Sequence, residues 1–260
     1  MQDNTAPLTV RLDGLRVAIS AGAGGIGRAM ADGFASCGAK VFLCDVDREA
    51  LAASPHPSML ADMESVEGCE GFVDAAIAHL GGLDVLVNNA GIAGPTARVE
   101  DVTPEALSRT LKIDLEAMFH CARRAVPALR ASGGGSIVNL SSAAGRFGFP
   151  LRSPYAAAKW GVVGFTKSLA IELGPERIRV NAILPGLVAG DRIRRVIEAK
   201  AQANGRSFTE QEAEALRAVS LRCYVTPQDI ANMALYLCSP FGATISGQSL
   251  SVDGDMQVLA

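Results

Sequence analysis

Tyr155 and Lys159 are the residues of this chain best suited to moving a proton. They stand four apart in Tyr155-Ala-Ala-Ala-Lys159. A helix turns once every ~3.6 residues, so both side chains address one site from one face. A free phenol gives up its proton only near pH ~10. A neighbouring ammonium favours the phenolate, and the pair then makes a general acid/base for interconverting an alcohol and a carbonyl. A packed tyrosine beside a snorkelling lysine has the same spacing, so the assignment depends on the rest of the chain.

A second pattern lies near the front. Gly22, Gly24 and Gly27 of Ala21-Gly-Ala-Gly-Gly-Ile-Gly27 fit G-x-G-x-x-G. Glycines there let the backbone approach a pyrophosphate, and the helix that follows offers its N-terminal N–H groups to the anion. Asp45 stands 18 residues past Gly27. At the end of a second strand, its carboxylate can accept both hydroxyls of an adenosine ribose and repels a 2′-phosphate. The alternative for Asp45 is a helix cap or turn residue.

These groups need a scaffold, and the hydrophobic pattern supplies one. Short apolar runs at Leu15–Ser20, Lys40–Cys44, Leu83–Val87, Ser136–Leu140, Ile178–Ile183 and Leu250–Val252, with a weaker one near Ser58–Ala61, alternate with helical stretches. Helices are expected over about 26–37, about 64–80, from Thr103 to about 130, from the Tyr155 region to Gly174-Pro175, and from Pro227. Strand–helix alternation with apolar strands predicts an α/β fold, a parallel sheet covered on both faces. The stretch 187–222 is polar and rich in Arg, Glu and Gln. At that length it is read as a mobile lid rather than a second domain, within a single domain spanning 1–260.

Composition narrows the function. The chain has 260 residues, 49% hydrophobic, and a net charge of −3, which offers no electrostatic case for nucleic acid or an anionic membrane. The start, Met1-Gln-Asp-Asn-Thr-Ala-Pro7, does not read as a signal peptide. Six cysteines without a C-x-x-C pair suit free thiols in a reducing cytoplasm. His56, His79 and His120 lack metal-ligand spacing, so no metal site is expected.

From about Leu12 to Gly254, the chain resembles the short-chain dehydrogenase/reductase family. The glycine turn, Asp45, Asn88-Asn-Ala-Gly91, Ser141-Ser142, Tyr155-x-x-x-Lys159, Asn181 with Pro185-Gly186, and Ser246-Gly-Gln with Val252-Asp-Gly254 occur in family order. The resemblance implies a seven-stranded doubly wound Rossmann-type sheet, a nicotinamide cofactor and a homotetramer built partly through the long helices. It implies that Tyr155 is the acid/base, that Lys159 supports it and holds the nicotinamide ribose, and that Ser142 binds the substrate oxygen in preference to Ser141. It makes Ser20, Gly22, Gly25, Ile26, Gly27, Asp45, Asp62, Asn88, Ala90, Gly91, Pro185, Gly186 and Val188 the further cofactor contacts, Asp62 at the adenine.

Three positions depart from the family. The glycine turn opens with Ser20-Ala21 in place of Thr-Gly, which leaves its register open. Asp114 stands where the family commonly has Asn, as a member of the catalytic group. Gly190 stands where a Thr often binds the carboxamide.

The expected function is an NAD-dependent secondary-alcohol dehydrogenase or ketone reductase. The alternatives are an NADP-dependent reductase and a non-catalytic dinucleotide-binding protein. Arg146 and Arg152 lie between Ser142 and Tyr155, and the 187–222 stretch adds Arg192, Arg194 and Arg195. Guanidinium forks suit a carboxylate, as in a sugar acid or hydroxy acid. The same arginines can instead pair with acids on neighbouring segments, leaving Phe147, Phe149 and Leu151 to line an apolar pocket.

Overall fold

A computed structural model describes residues 9–259. The segment Met1–Pro7, which does not read as a signal peptide, lies outside them. The strands are β1 (Arg16–Ile19), β2 (Lys40–Asp45), β3 (Ser58–Leu60), β4 (Val85–Asn88), β5 (Gly135–Leu140), β6 (Ile178–Pro185) and β7 (Ser249–Val252). The helices are α1 (Gly25–Ser36), α2 (Arg48–Ala52), α3 (Val66–Leu80), α4 (Pro104–Leu111), α5 (Ala117–Ala131), α6 (Ser153–Leu173), α7 (Asp191–Asn204), α8 (Phe208–Arg217) and α9 (Pro227–Cys238). No described helix is long and apolar enough to cross a membrane.

The seven strands form one sheet in the order β3-β2-β1-β4-β5-β6-β7, and all six pairings are parallel. Parallel neighbours require crossovers, and the crossover helices cover both faces. This explains why the central strands are continuous apolar runs: every residue of β4 is buried. One face packs Phe42, Phe72, Leu86, Met118, Ile137 and Val162 beneath α3, α5 and α6. The other packs Ile19, Met30, Phe34, Val87, Ile183 and Ala231 beneath α1 and α9.

β1 lies between β2 and β4. The chain leaves β1 in one direction and later restarts at β4 in the other. The loops after these two strands therefore diverge, leaving a crevice at the carboxyl ends of the strands.

Local chemistry sets the helix ends. The Thr103 hydroxyl accepts from the Ala106 N–H at 3.2 Å, with Pro104 opening α4. Ser65 caps α3, and Thr226 and Asp229 form a capping box on α9. One expectation is corrected. The helix read from Thr103 to about 130 is not continuous, because a π-helical turn at Lys112–Glu116 separates α4 from α5. The wider turn rotates the following residues relative to a regular helix. The stretch 187–222 contains two helices. Gly205 ends α7 in the left-handed region at φ 63°, and Ser207 with Glu210 forms the capping box that opens α8.

Candidate active site

A cavity of about 580 Å³ opens at the carboxyl ends of the strands. Its first wall is the turn between β1 and α1: Ala21, Gly24, Gly25, Ile26 and Gly27 all line it. Gly24 caps α1 without a side-chain hydrogen bond, so no side chain competes at that end of the helix. A Cβ on Gly27 would sit 2.1 Å from the Ala21 carbonyl oxygen, so only glycine permits this close turn. The register left open by the sequence is now defined. Ala21 has φ 49°, the left-handed conformation that glycine adopts freely and that costs an L-residue ~1–2 kcal/mol. Ala21 therefore occupies the strained position of the turn. Gly22 is directed elsewhere: its backbone packs on β2, where a Cβ would meet the Leu43 Cβ at 2.6 Å.

Asp45 ends β2 on the cavity wall. Its Oδ2 accepts from the Ala23 N–H at 3.1 Å, and its Oδ1 from Val46 at 2.8 Å and Asp47 at 3.2 Å. The carboxylate is thus fixed against the glycine turn, with lone pairs left over. Asp47, unnoticed in the sequence, lines the same wall and caps α2.

Several expected contacts lie behind the wall. The Ser20 hydroxyl is buried and accepts from the N–H groups of Asn89 and Ala90, both at 3.0 Å. Asn88 points into the sheet and donates to Asn139 Oδ1 at 2.8 Å. Asn89 is the one that lines the cavity, donating to the Ser20 and Ala21 carbonyls at 3.1 and 2.8 Å. Successive strand residues point to opposite faces, so an inward Asn88 implies an outward Asn89. Ser20, Gly22, Asn88 and Ala90 thus lie outside the lining. So does Asp62, which is exposed and accepts from the Glu64 N–H at 2.9 Å. Gly91, Pro185, Gly186 and Val188 line the cavity.

Ser142, Tyr155 and Lys159 meet at the far end of the same cavity. Tyr155 sits in the first turn of α6, and Lys159 follows one turn later on the same face. The Lys159 ammonium is almost wholly buried, donates to the Leu140 carbonyl at 3.0 Å and lies 5.6 Å from the Tyr155 ring centroid. Ser142 follows β5, its hydroxyl accepting from the Ala144 N–H at 3.2 Å. Its neighbour Ser141 is buried and donates to the Lys159 carbonyl at 2.8 Å, anchoring β5 to α6.

Asp114 lies in the π turn and is fully buried. Its Oδ1 accepts from the Ile92 N–H at 2.6 Å; its Oδ2 has no hydrogen-bond partner among the described residues. Burial raises its pKa above the usual carboxylate value, opposed by the charges of Lys159, Arg192 and Arg152 and by the Ile92 hydrogen bond. Gly91 makes room for this group: a Cβ there would meet Asp114 Oδ1 at 2.8 Å and Lys159 Nζ at 3.4 Å.

The two arginines separate. Arg146 does not line the cavity. It donates to the Ser251 hydroxyl at 3.1 Å and the Met256 carbonyl at 2.9 Å, pairs with Asp253 at 3.5 Å, and stacks on Phe147. Its expected substrate contact is replaced by a pairing with the C-terminal segment, where a buried carboxylate draws it. Arg152 lines the cavity, with its guanidinium carbon 5.1 Å from the ring centroids of both Phe149 and Tyr155. Of the three apolar candidates, only Phe149 is on the wall. The start of α7 closes the far side through Asp191, Arg192, Ile193, Arg195 and Val196.

Comparison with known proteins identifies the family. A family model described as enoyl-(acyl carrier protein) reductase matches residues 21–257. The chain is 35% identical over 250 residues to a probable galactose dehydrogenase of Rhizobium meliloti, covering 92% of this chain and 93% of the relative. It is 36% identical over 251 residues to trans-4-hydroxycyclohexanecarboxylate dehydrogenase of Sinomonas cyclohexanicum, covering 91% and 90%. Among solved structures, NAD+-bound xylitol dehydrogenase superposes with a TM-score of 0.89 at 28% identity, covering 94% of this chain and 99% of that one. An actinorhodin polyketide ketoreductase variant with NADPH superposes with a TM-score of 0.88 at 31% identity, covering 94% and 97%. The chain belongs to the short-chain dehydrogenase/reductase family, and it is an oxidoreductase that works with a nicotinamide dinucleotide.

Proposed function

We propose that this protein is an NAD-dependent dehydrogenase that interconverts a secondary alcohol and a ketone at Tyr155. The observation that carries the reading is the shared cavity. Asp45 and the glycine turn stand at one end, and Ser142, Tyr155 and Lys159 stand at the other. The start of α1, where no side chain occupies the N–H groups, and the glycine-only approach at Gly27 suit a pyrophosphate. When bound, the nicotinamide supplies the hydride acceptor or donor.

The chain's own groups do the rest. Ser142 holds the substrate oxygen by a hydrogen bond. In oxidation, Tyr155 takes the hydroxyl proton, and in reduction it returns the proton to the carbonyl oxygen. Lys159, fixed by the Leu140 carbonyl, stabilises the phenolate by its charge. Orientation of these three groups and proton transfer together supply the catalysis. Asp45 favours NAD because a carboxylate accepts ribose hydroxyls and repels a 2′-phosphate.

The substrate class follows the relatives in breadth, since they are named for sugars and for a hydroxycarboxylate. One experiment tests the reading. Turnover is measured with NAD+ and NADP+ over a panel of galactose, xylose, 3-hydroxybutyrate, 4-hydroxycyclohexanecarboxylate and neutral cyclic alcohols. NAD+ is expected to support the higher kcat/KM, and Tyr155→Phe is expected to lower kcat by about 10²-fold or more with NAD+ affinity retained. NADP+ preference by the wild-type protein would reassign Asp45. Near-native turnover in the Tyr155 variant would remove Tyr155 as the acid/base.

A further inference from the structure

Two arginines stand over the Tyr155 ring that the proton-transfer step does not use, and a lysine lies behind them against Phe149. Arg152 is 2% exposed yet lines the cavity. It donates to the Ala93 carbonyl, but its buried Nε has no hydrogen-bond partner among the described residues. The rings of Phe149 and Tyr155 flank it, and among the described residues no ion pair joins it to an acid. Arg192 reaches in from α7. Its guanidinium carbon lies 6.0 Å from the Tyr155 ring centroid, and one N–H donates to the Gly91 carbonyl at 3.1 Å. Two turns along α7, Lys200 is 5% exposed, with its Nζ 4.1 Å from the Phe149 ring centroid.

Arg152, Arg192 and Arg195 line this end of the cavity, with Asp191 beside them. Burial and the neighbouring Arg152 push the Lys200 pKa down to about 8, against the pull of Glu214. Asp114 is the acid whose charge acts on Arg152, and one of its oxygens is already taken by the Ile92 N–H. A buried guanidinium with an unused N–H is costly unless an anion meets it. A guanidinium fork is matched in shape to a carboxylate.

We propose that Arg152 and Arg192 together bind the carboxylate of a small hydroxycarboxylate substrate and so place its hydroxyl against Tyr155. Both guanidinium carbons lie within 6.0 Å of the one phenol ring, so the charged group and the oxidised carbon belong to a single compact molecule. Phe149 supplies the apolar wall between them. The proposal rests on the reading of Tyr155 as the acid/base and narrows it to one substrate class.

The test compares each hydroxycarboxylate of the turnover panel with its methyl ester, and in parallel measures binding without turnover. For binding, 4-oxocyclohexanecarboxylate and its methyl ester are titrated calorimetrically into the protein with NADH. The acid is expected to bind and to react at least about tenfold better than the ester, the scale of a lost charge-assisted contact. Arg192→Gln and Arg152→Met should each bring the acid-to-ester ratio down toward one, because the ester offers no anion to either fork. If Arg152→Met fails to fold, the acid-to-ester ratio of the wild type and the exposed Arg192→Gln variant still decide. Equal binding of acid and ester overturns the proposal. So does preferential turnover of the neutral alcohols, which would leave the dehydrogenase assignment standing. Arginine-dependent binding of the keto acid with no turnover of any alcohol would instead uphold the carboxylate site and sink the assigned reaction.

Discussion

Asp114 departs from its family in the one group that most needs to be neutral or paired. It is fully buried with one orphan oxygen, and burial raises its pKa despite the cations around it. The consequence for stability has a definite sign. A carboxyl whose folded value lies above its unfolded value keeps its proton longer in the native state. Ionisation then costs the fold progressively as pH rises through both values. Asp114→Asn removes this cost and keeps an oxygen for the Ile92 N–H. Scanning calorimetry should therefore find the variant more stable than wild type at pH 8, with the gap closing below about pH 4, where the unfolded carboxyl is also protonated. A gap that widens toward acid would contradict the shift. Turnover should stay within about tenfold of wild type, since loss of a true proton-transfer group costs ~10²-fold or more. Inactivity with intact NAD+ binding would assign the carboxylate a role of its own.

At the scale of elements, we propose that α7 and α8 act as the lid expected of residues 187–222. Its wall on the cavity is built by the start of α7, tethered through Arg192 to the Gly91 carbonyl. The isolated bridge between Val188 and Val225 marks where the segment leaves and rejoins the body. Hydrogen exchange should show slower exchange across 191–217 when NAD+ and a substrate or product are both present. Unchanged exchange would make the two helices a fixed wall. The polar composition of this stretch was visible in sequence, but which of its arginines would face the cavity was not. Arg192 and Arg195 line the cavity, whereas Arg194 pairs with Glu198 one turn on and stacks near Phe208. Neighbours on a helix point about 100° apart, so facing depends on how the helix packs rather than on composition.

At the scale of the molecule, we propose a homotetramer assembled through the outer faces of α4, α5 and α6. Leu107, Phe119, Trp160 and Ile171 stand exposed there, Trp160 at 52% and Ile171 at 81%. These side chains supply apolar surface on the three helices that a partner chain would cover. Sedimentation should give four chains per particle, and Trp160→Glu combined with Phe119→Glu should yield smaller species with the fold preserved. A wild-type monomer would remove the proposal.

The sequence by itself determined the order and type of the main strands, the parallel sheet, the glycine turn and the helical pairing of Tyr155 with Lys159. Each depends on local periodicity or on spacing along one element, and that information is written in consecutive residues. Only the tertiary structure decided which of the motif residues reach the cavity. Asn88 and Asn89 are adjacent in the chain, yet one ties β4 to Asn139 and the other braces the glycine turn. The π turn that carries Asp114 leaves no distinct mark in the apolar pattern. Arg146 and Arg152 read alike within one loop, but a buried carboxylate at Asp253 draws the first away and two aromatic rings hold the second beside Tyr155. Such choices are made by partners distant in sequence, whose positions exist only once the sheet has brought them together.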